Sequence, residues 1–167
     1  MDDLQLLNRG MIRLKEMFEG LSVEAGPALA QLMTRYRSTK EDFAAVIAAV
    51  DASYLCRECA GQCCLNGKYR INLFDALARI AEQIPTSADY SRKPSCPYSN
   101  ESGCTMEPGL RPADCVMFVC DVIDQKLSPQ ARLTLSSKEL VLRECLGAAS
   151  ALTGERMETP LLLWAAK

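Results

Sequence analysis

The chain contains no histidine. That absence takes imidazole out of any metal site and removes the usual proton shuttle of catalysis at neutral pH. An excess of positive charge is also missing: 19 basic and 21 acidic side chains are mixed along 167 residues, for a formal net charge of −2. Without a basic field to gather phosphates, nucleic acid is not expected as a partner. Long apolar runs are lacking too. Pro160 to Ala166 is among the longest, far short of the about 20 residues a membrane span needs, so no membrane partner is expected. The opening residues, MDDLQLLNRG, are acidic and broken by polar residues, where a secretory signal is basic and then apolar. These features predict a cytoplasmic location. There is no GxGxxG nucleotide fingerprint, no acidic pair in a distinctive setting, and no internal repeat or low-complexity tract.

Cysteine, by contrast, is abundant. Eight of nine cysteines fall between Cys56 and Cys120, and they begin with CRECAGQCC, which places Cys56, Cys59, Cys63 and Cys64 within nine residues. Cys96, Cys104, Cys115 and Cys120 follow at longer spacings. Thiolates are soft ligands suited to zinc, cuprous copper and iron–sulfur clusters, and CxxC lets two sulfurs converge on one centre. A disulfide scaffold is the rival, but it belongs to secreted chains with poor cores, and an odd count leaves one thiol over. Within the first quartet, Cys63 can join Cys56 and Cys59 after a turn at Gly61. Vicinal side chains diverge by about 100° in a helix and about 180° in a strand, so Cys63 and Cys64 are expected to straddle two centres or one larger cluster. Cys115 and Cys120 would lie about 140° apart on an ideal helix, so either the helix ends before Cys120 or the two serve different positions.

The apolar periodicity predicts a mainly α protein: a small helical domain around a loop-rich, cysteine-ligated metal centre, with few or no short strands. Residues 1–50 read as an N-terminal helical extension packed on the domain, 51–128 as the cysteine-cluster core, and 129–167 as helices completing the same domain. Leu4, Leu7, Met11, Leu14 and Phe18 recur at steps of three and four before a stop at Gly20; this stripe packs on the domain or, alternatively, forms a homodimer seam. Pro27 opens a second helix to about Tyr36, and Ser38 or Thr39 caps a third through Val50 that delivers the chain to Cys56. After a turn at Gly67, Asn72 caps a helix running toward Ile84 and stopping before Pro85. Residues 85–112, with five prolines and two glycines, read as a loop. Arg111-Pro112 starts a helix through Cys115 and Ile123 to about Ser128. Ser136 or Ser137 caps another toward Gly154, and Thr159-Pro160 starts a short terminal helix containing Trp164. Leu133 to Leu135 and Tyr69 to Ile71 are the only candidate strands.

CRECAGQCC, the helix after Asn72, SCPYSNESGC, RPADC and VMFVC together resemble the YkgJ-like family of zinc- or iron-chelating domains with a CxxCxxCC signature. The resemblance covers Cys56 to Cys120, about two-fifths of the chain. It departs from the signature in having three residues, not two, between Cys59 and Cys63. It implies metal chelation by Cys56, Cys59, Cys63, Cys64, Cys96, Cys104, Cys115 and Cys120, without a settled activity. Zinc would fill two closed four-cysteine sites. An iron–sulfur cluster also uses cysteine alone, and Cys96-Pro97 is similar to the ligand–proline pairing of bacterial ferredoxins. Flagellin lysine methylases carry a similar signature associated with an iron–sulfur centre.

Arg57, Lys68, Arg70 and Arg111 stand beside cysteines in sequence and are candidates to offset thiolate charge, Arg111 foremost. Tyr98 and Phe118 either shield sulfur from water or belong to the core. Cys145, on an apolar helical face, reads as a buried small hydrophobe. The functional reading is a metal-binding protein holding iron–sulfur or zinc, acting in structural stabilisation, electron transfer or metal handling, with no direct catalysis required. A cluster-dependent group-transfer enzyme is one alternative, with Tyr98, Asp114 and Glu107 as its nearest proton-transfer groups. A thiol redox or metal-delivery protein with a reactive vicinal cysteine is another. The sequence names no protein partner.

Overall fold

The computed structural model describes residues 1–58, 62–65, 67–101 and 103–167. Among them are eight α-helices and one two-stranded ribbon, so the protein is mainly helical. Helix α1 (Asp3–Glu19) begins at a capping box in which the Gln5 N–H donates to Asp2 Oδ1 (2.8 Å) and the Asp2 N–H to Gln5 Oε1 (3.0 Å), and it ends at Gly20. Its stripe is partly consumed within the chain itself. Leu7, Gly10 and Leu14 are buried, and α1 packs on α4 (Leu73–Ala81) and α8 (Leu161–Ala165). The approach to α8 needs glycine: a Cβ on Gly10 would stand 2.9 Å from Leu161 Cδ1.

Helix α2 (Ala25–Ala48) is one helix where two were expected. The Ser38 and Thr39 hydroxyls do not cap a new start; they donate back to the Arg35 carbonyl at 3.1 and 2.7 Å. The physical reason is the buried stripe Leu29, Met33, Tyr36, Lys40 and Phe43, which keeps its three-and-four spacing straight through the supposed break. The same logic moves the start of α7 (Pro129–Thr153) forward from Ser136 to a Ser128 cap, whose Oγ accepts from the Ala131 N–H at 3.1 Å. Leu133 to Leu135 is therefore helical rather than strand. α2 and α7 form the most extensive helix pair in the fold.

α4 begins at the expected Asn72 cap but ends at Ala81, because Gln83 takes φ 57° and turns the chain. It is buried from Leu73 to Arg79 in a core to which α1, α2, α7 and α8 also contribute, including Leu14, Leu29, Tyr36, Phe74, Leu142, Met157 and Trp164. Tyr69 to Ile71 is not a strand: Gly67–Tyr69 is a 3-10 turn, and Asn72 forms an isolated antiparallel bridge with Pro160. The expected helix through residues 112–123 is broken. α5 (Ala113–Met117) stops at extended Phe118 (ψ 110°), and α6 (Asp121–Asp124) restarts with Cys120 at its N-cap. Within the Pro-rich stretch, β1 (Ser99–Asn100) and β2 (Gly103–Cys104) make a short antiparallel ribbon. Among the described residues, no helix is long and apolar enough to cross a membrane.

Candidate cysteine-cluster site

The best-built element of the site is the turn that carries Cys96. The Ser99 N–H and hydroxyl both donate to the Cys96 carbonyl (3.2 and 2.8 Å). The Tyr98 carbonyl accepts from the Thr105 N–H and Oγ1, each at 3.0 Å. The ribbon then pairs Ser99 with Cys104 and Asn100 with Gly103, returning Cys104 beside Cys96. Gly103 sits at φ +110°, a conformation that side chains resist. This ribbon went unread in the sequence. Its signal was the turn-forming run Asn100, Glu101, Ser102, Gly103 between Ser99 and Cys104.

Two further stretches bring thiols to the same neighbourhood. Gln62–Cys64 is a 3-10 turn whose Cys64 packs half-buried on the main core, with Cys63 exposed. α5 carries Cys115, whose N–H donates to the Pro112 carbonyl at 2.9 Å. Cys64 lies within electrostatic range of Cys63, Cys96 and Cys104, and Cys115 within range of Cys96 and Cys104. Thiols of both sequence quartets thus bear on one another electrostatically. Cys120 heads α6 and Cys56 lies on α3 (Ala52–Glu58); α3 packs against both α6 and β2. Cys59, the Gly61 turn and Ser102 lie outside the described residues.

Burial is the first reason the Cys64 thiol is pushed up to about 12 and those of Cys96 and Cys115 are raised; charge on neighbouring cysteines adds to it. Cys115 keeps an accessible edge, yet the protein packed around its sulfur dominates its shift. The cation that offsets this charge is Arg70, which acts on Cys96, Cys115 and Asp114. The expected Arg111 is instead engaged elsewhere: its Nε donates to the Met106 carbonyl at 3.1 Å. Lys68 pairs with Asp3, and Arg57 is exposed. Tyr98 is buried, whereas Phe118 is 52% exposed and so neither shields sulfur nor joins the core. Cys145 is fully buried in the helical core, away from the cluster group.

Among the described residues, no three cysteine, aspartate or glutamate side chains converge closely enough to hold one ion. The donor chemistry nevertheless fits a soft metal. Cys63, Cys64, Cys96, Cys104, Cys115 and Cys120 are thiols with no disulfide between them, and the Arg70 charge favours the thiolate of two of them, Cys96 and Cys115. The seat for Cys96 is also close-fitting. A Cβ built on buried Gly67 would overlap Cys96 Sγ and come within 2.7 Å of Cys96 Cβ. Gly67→Ala is therefore expected to cost about 1–3 kcal/mol through overpacking and to displace Cys96. Urea unfolding measures the loss, and an unchanged midpoint would show that the contact is soft.

The polar network beneath the site also escaped sequence reasoning. Lys40 and Asp75 form an ion pair at 3.0 Å with both side chains almost wholly buried (2% and 1% exposed). Asp75 also accepts from the Tyr36 hydroxyl (3.0 Å) and from the Ala113 and Asn72 N–H groups (3.3 and 3.4 Å), while Lys40 Nζ donates to the Arg111 carbonyl (2.8 Å). The segment leading into Cys115 is thereby fastened to α2 and α4. Lys40 was visible only as a residue on the buried α2 stripe, and Asp75 only as the third position after the Asn72 cap.

Compared with protein-family models, with curated proteins and with solved structures, the chain matches none.

Proposed function

We propose that this chain is a metal-binding protein whose cysteines hold iron, as an iron–sulfur cluster, or zinc, and that it acts in structural stabilisation, electron transfer or metal handling in a reducing cytosol. The observation that carries this reading is that Cys63, Cys64, Cys96, Cys104 and Cys115, from three separated stretches of chain, influence one another electrostatically and form no disulfides. Soft thiol donors, with no imidazole in the chain, favour closed all-sulfur coordination. Cys96, Cys104 and Cys115 with Cys64 would supply the inner ligands, and Cys56, Cys59, Cys63 and Cys120 the remainder. When bound, zinc would supply a charge that fixes the loops, and an iron–sulfur cluster would add one-electron redox capacity. The polypeptide contributes the Arg70 charge and the buried Lys40–Asp75 anchor of the segment leading into Cys115. The resemblance to the YkgJ-like family points the same way.

Elemental analysis with an ultraviolet–visible spectrum on anaerobically purified protein tests the proposal. Brown protein with acid-labile sulfide is expected for an iron–sulfur centre, and colourless protein with zinc for a structural one. Metal-free protein that keeps residues 85–124 resistant to limited proteolysis would sink the reading. A Cys63–Cys64 disulfide found by mass spectrometry in such a sample would favour the thiol redox alternative.

A further inference from the structure

Beside the Cys96 turn lies a cavity of about 250 Å³ lined by Lys68, Tyr90, Lys93, Pro94, Ser95 and Pro97. Two of its lining residues flank Cys96 in sequence, and Lys68 follows the glycine on which Cys96 rests. Its charge is unbalanced. Lys68 Nζ and Lys93 Nζ both approach one oxygen of Asp3, at 2.9 and 2.8 Å, so two ammonium groups share a single carboxylate. Lys93 is more than half exposed and gives Asp3 this one contact, which leaves N–H donors for a second acceptor. The opposite wall is apolar and fixed: two prolines, with the Tyr90 hydroxyl turned to the buried Tyr98 hydroxyl at 3.4 Å. The chain as a whole carries −2, so this positive point is local. Its volume falls below the roughly 300–1,000 Å³ of pockets that take drug-sized molecules, which restricts the occupant to a small one.

We propose that this cavity binds a small organic anion, with a carboxylate or phosphate head on the Lys68 and Lys93 ammonium groups and a flat apolar body against Tyr90, Pro94 and Pro97. The two lysines supply charge-assisted hydrogen bonds to the head, and the rigid wall selects the body. Recognition therefore needs both parts of the ligand, which separates it from ion pairing on an exposed surface. The site stands on residues outside the cysteine ligand set, so its recognition chemistry is the same whichever metal the cluster holds.

Calorimetric titration of the full chain as purified, with benzoate, phenyl phosphate, inorganic phosphate and benzyl alcohol, tests this and distinguishes a carboxylate head from a phosphate one. At least one ring anion is expected to bind about tenfold more tightly than inorganic phosphate, and benzyl alcohol to give no heat. Lys93→Met, whose exposed side chain leaves the fold intact, is expected to weaken that binding about tenfold. The tighter ring anion should also shift the Ser95 amide resonance. Equal binding of inorganic phosphate, binding indifferent to Lys93→Met, an unmoved Ser95 amide, or no heat from either ring anion would overturn the assignment.

Discussion

Cys96→Ser and Cys115→Ser variants are expected to lose bound metal and, with it, the order of the segment from Pro85 to Asp124. In small all-thiolate sites ligation free energy is folding free energy, on the order of 10 kcal/mol for structural zinc, comparable to the whole stability of a typical domain. The segment has little else to hold it: a two-residue ribbon, 3-10 turns, and two helices of five and four residues. The outer helices should survive, because α1 with α8 and α2 with α7 pack through apolar faces that contain no cluster cysteine. Metal content after gel filtration, helical circular dichroism and limited proteolysis separate these effects. Cys145→Ser is the control, since Cys145 is buried in the helical core; it should lower stability while leaving metal content unchanged. Equal metal retention in wild type, Cys96→Ser and Cys115→Ser would remove the cluster as ligand set.

Asp75→Ala is expected to cost about 3–5 kcal/mol, as breaking a buried pair leaves an uncompensated charge. Lys40 would be stranded with a side chain only 2% exposed, and the N–H groups of Ala113 and Asn72 and the Tyr36 hydroxyl would lose their acceptor. The double variant Lys40→Met with Asp75→Leu should recover much of the loss, because the desolvated charges disappear together. Urea denaturation of the single and double variants measures the difference. If the double variant were no more stable than Asp75→Ala, geometry rather than stranded charge would be the cause. Because Lys40 also fastens the Arg111 carbonyl two residues before Ala113, Asp75→Ala should in addition reduce metal retention.

The elements legible in the sequence are those whose signals act over three or four residues. The α1 stripe with its Gly20 stop, the Asn72 cap of α4 and the short helix after Pro160 stand where capping and periodicity place them. Errors arose where two local signals competed. Ser38 and Thr39 looked like caps, but the continuous buried stripe of α2 kept the helix intact; Ser136 looked like a start, but Ser128-Pro129 is a better one. The break at Phe118 was foreshadowed only by the awkward angle between Cys115 and Cys120.

By itself, then, the sequence determined that this is a mainly helical chain with a thiol-rich, histidine-free middle, since composition and short-range periodicity do not depend on distant neighbours. Tertiary structure alone decided that Arg70 acts on Cys96 and Cys115 while Arg111 is engaged with the Met106 carbonyl, and that Lys40 reaches Asp75 across 35 positions. Such contacts are set by how helices pack, and packing is a property of complementary surfaces brought together from far apart in the chain, which no local window contains.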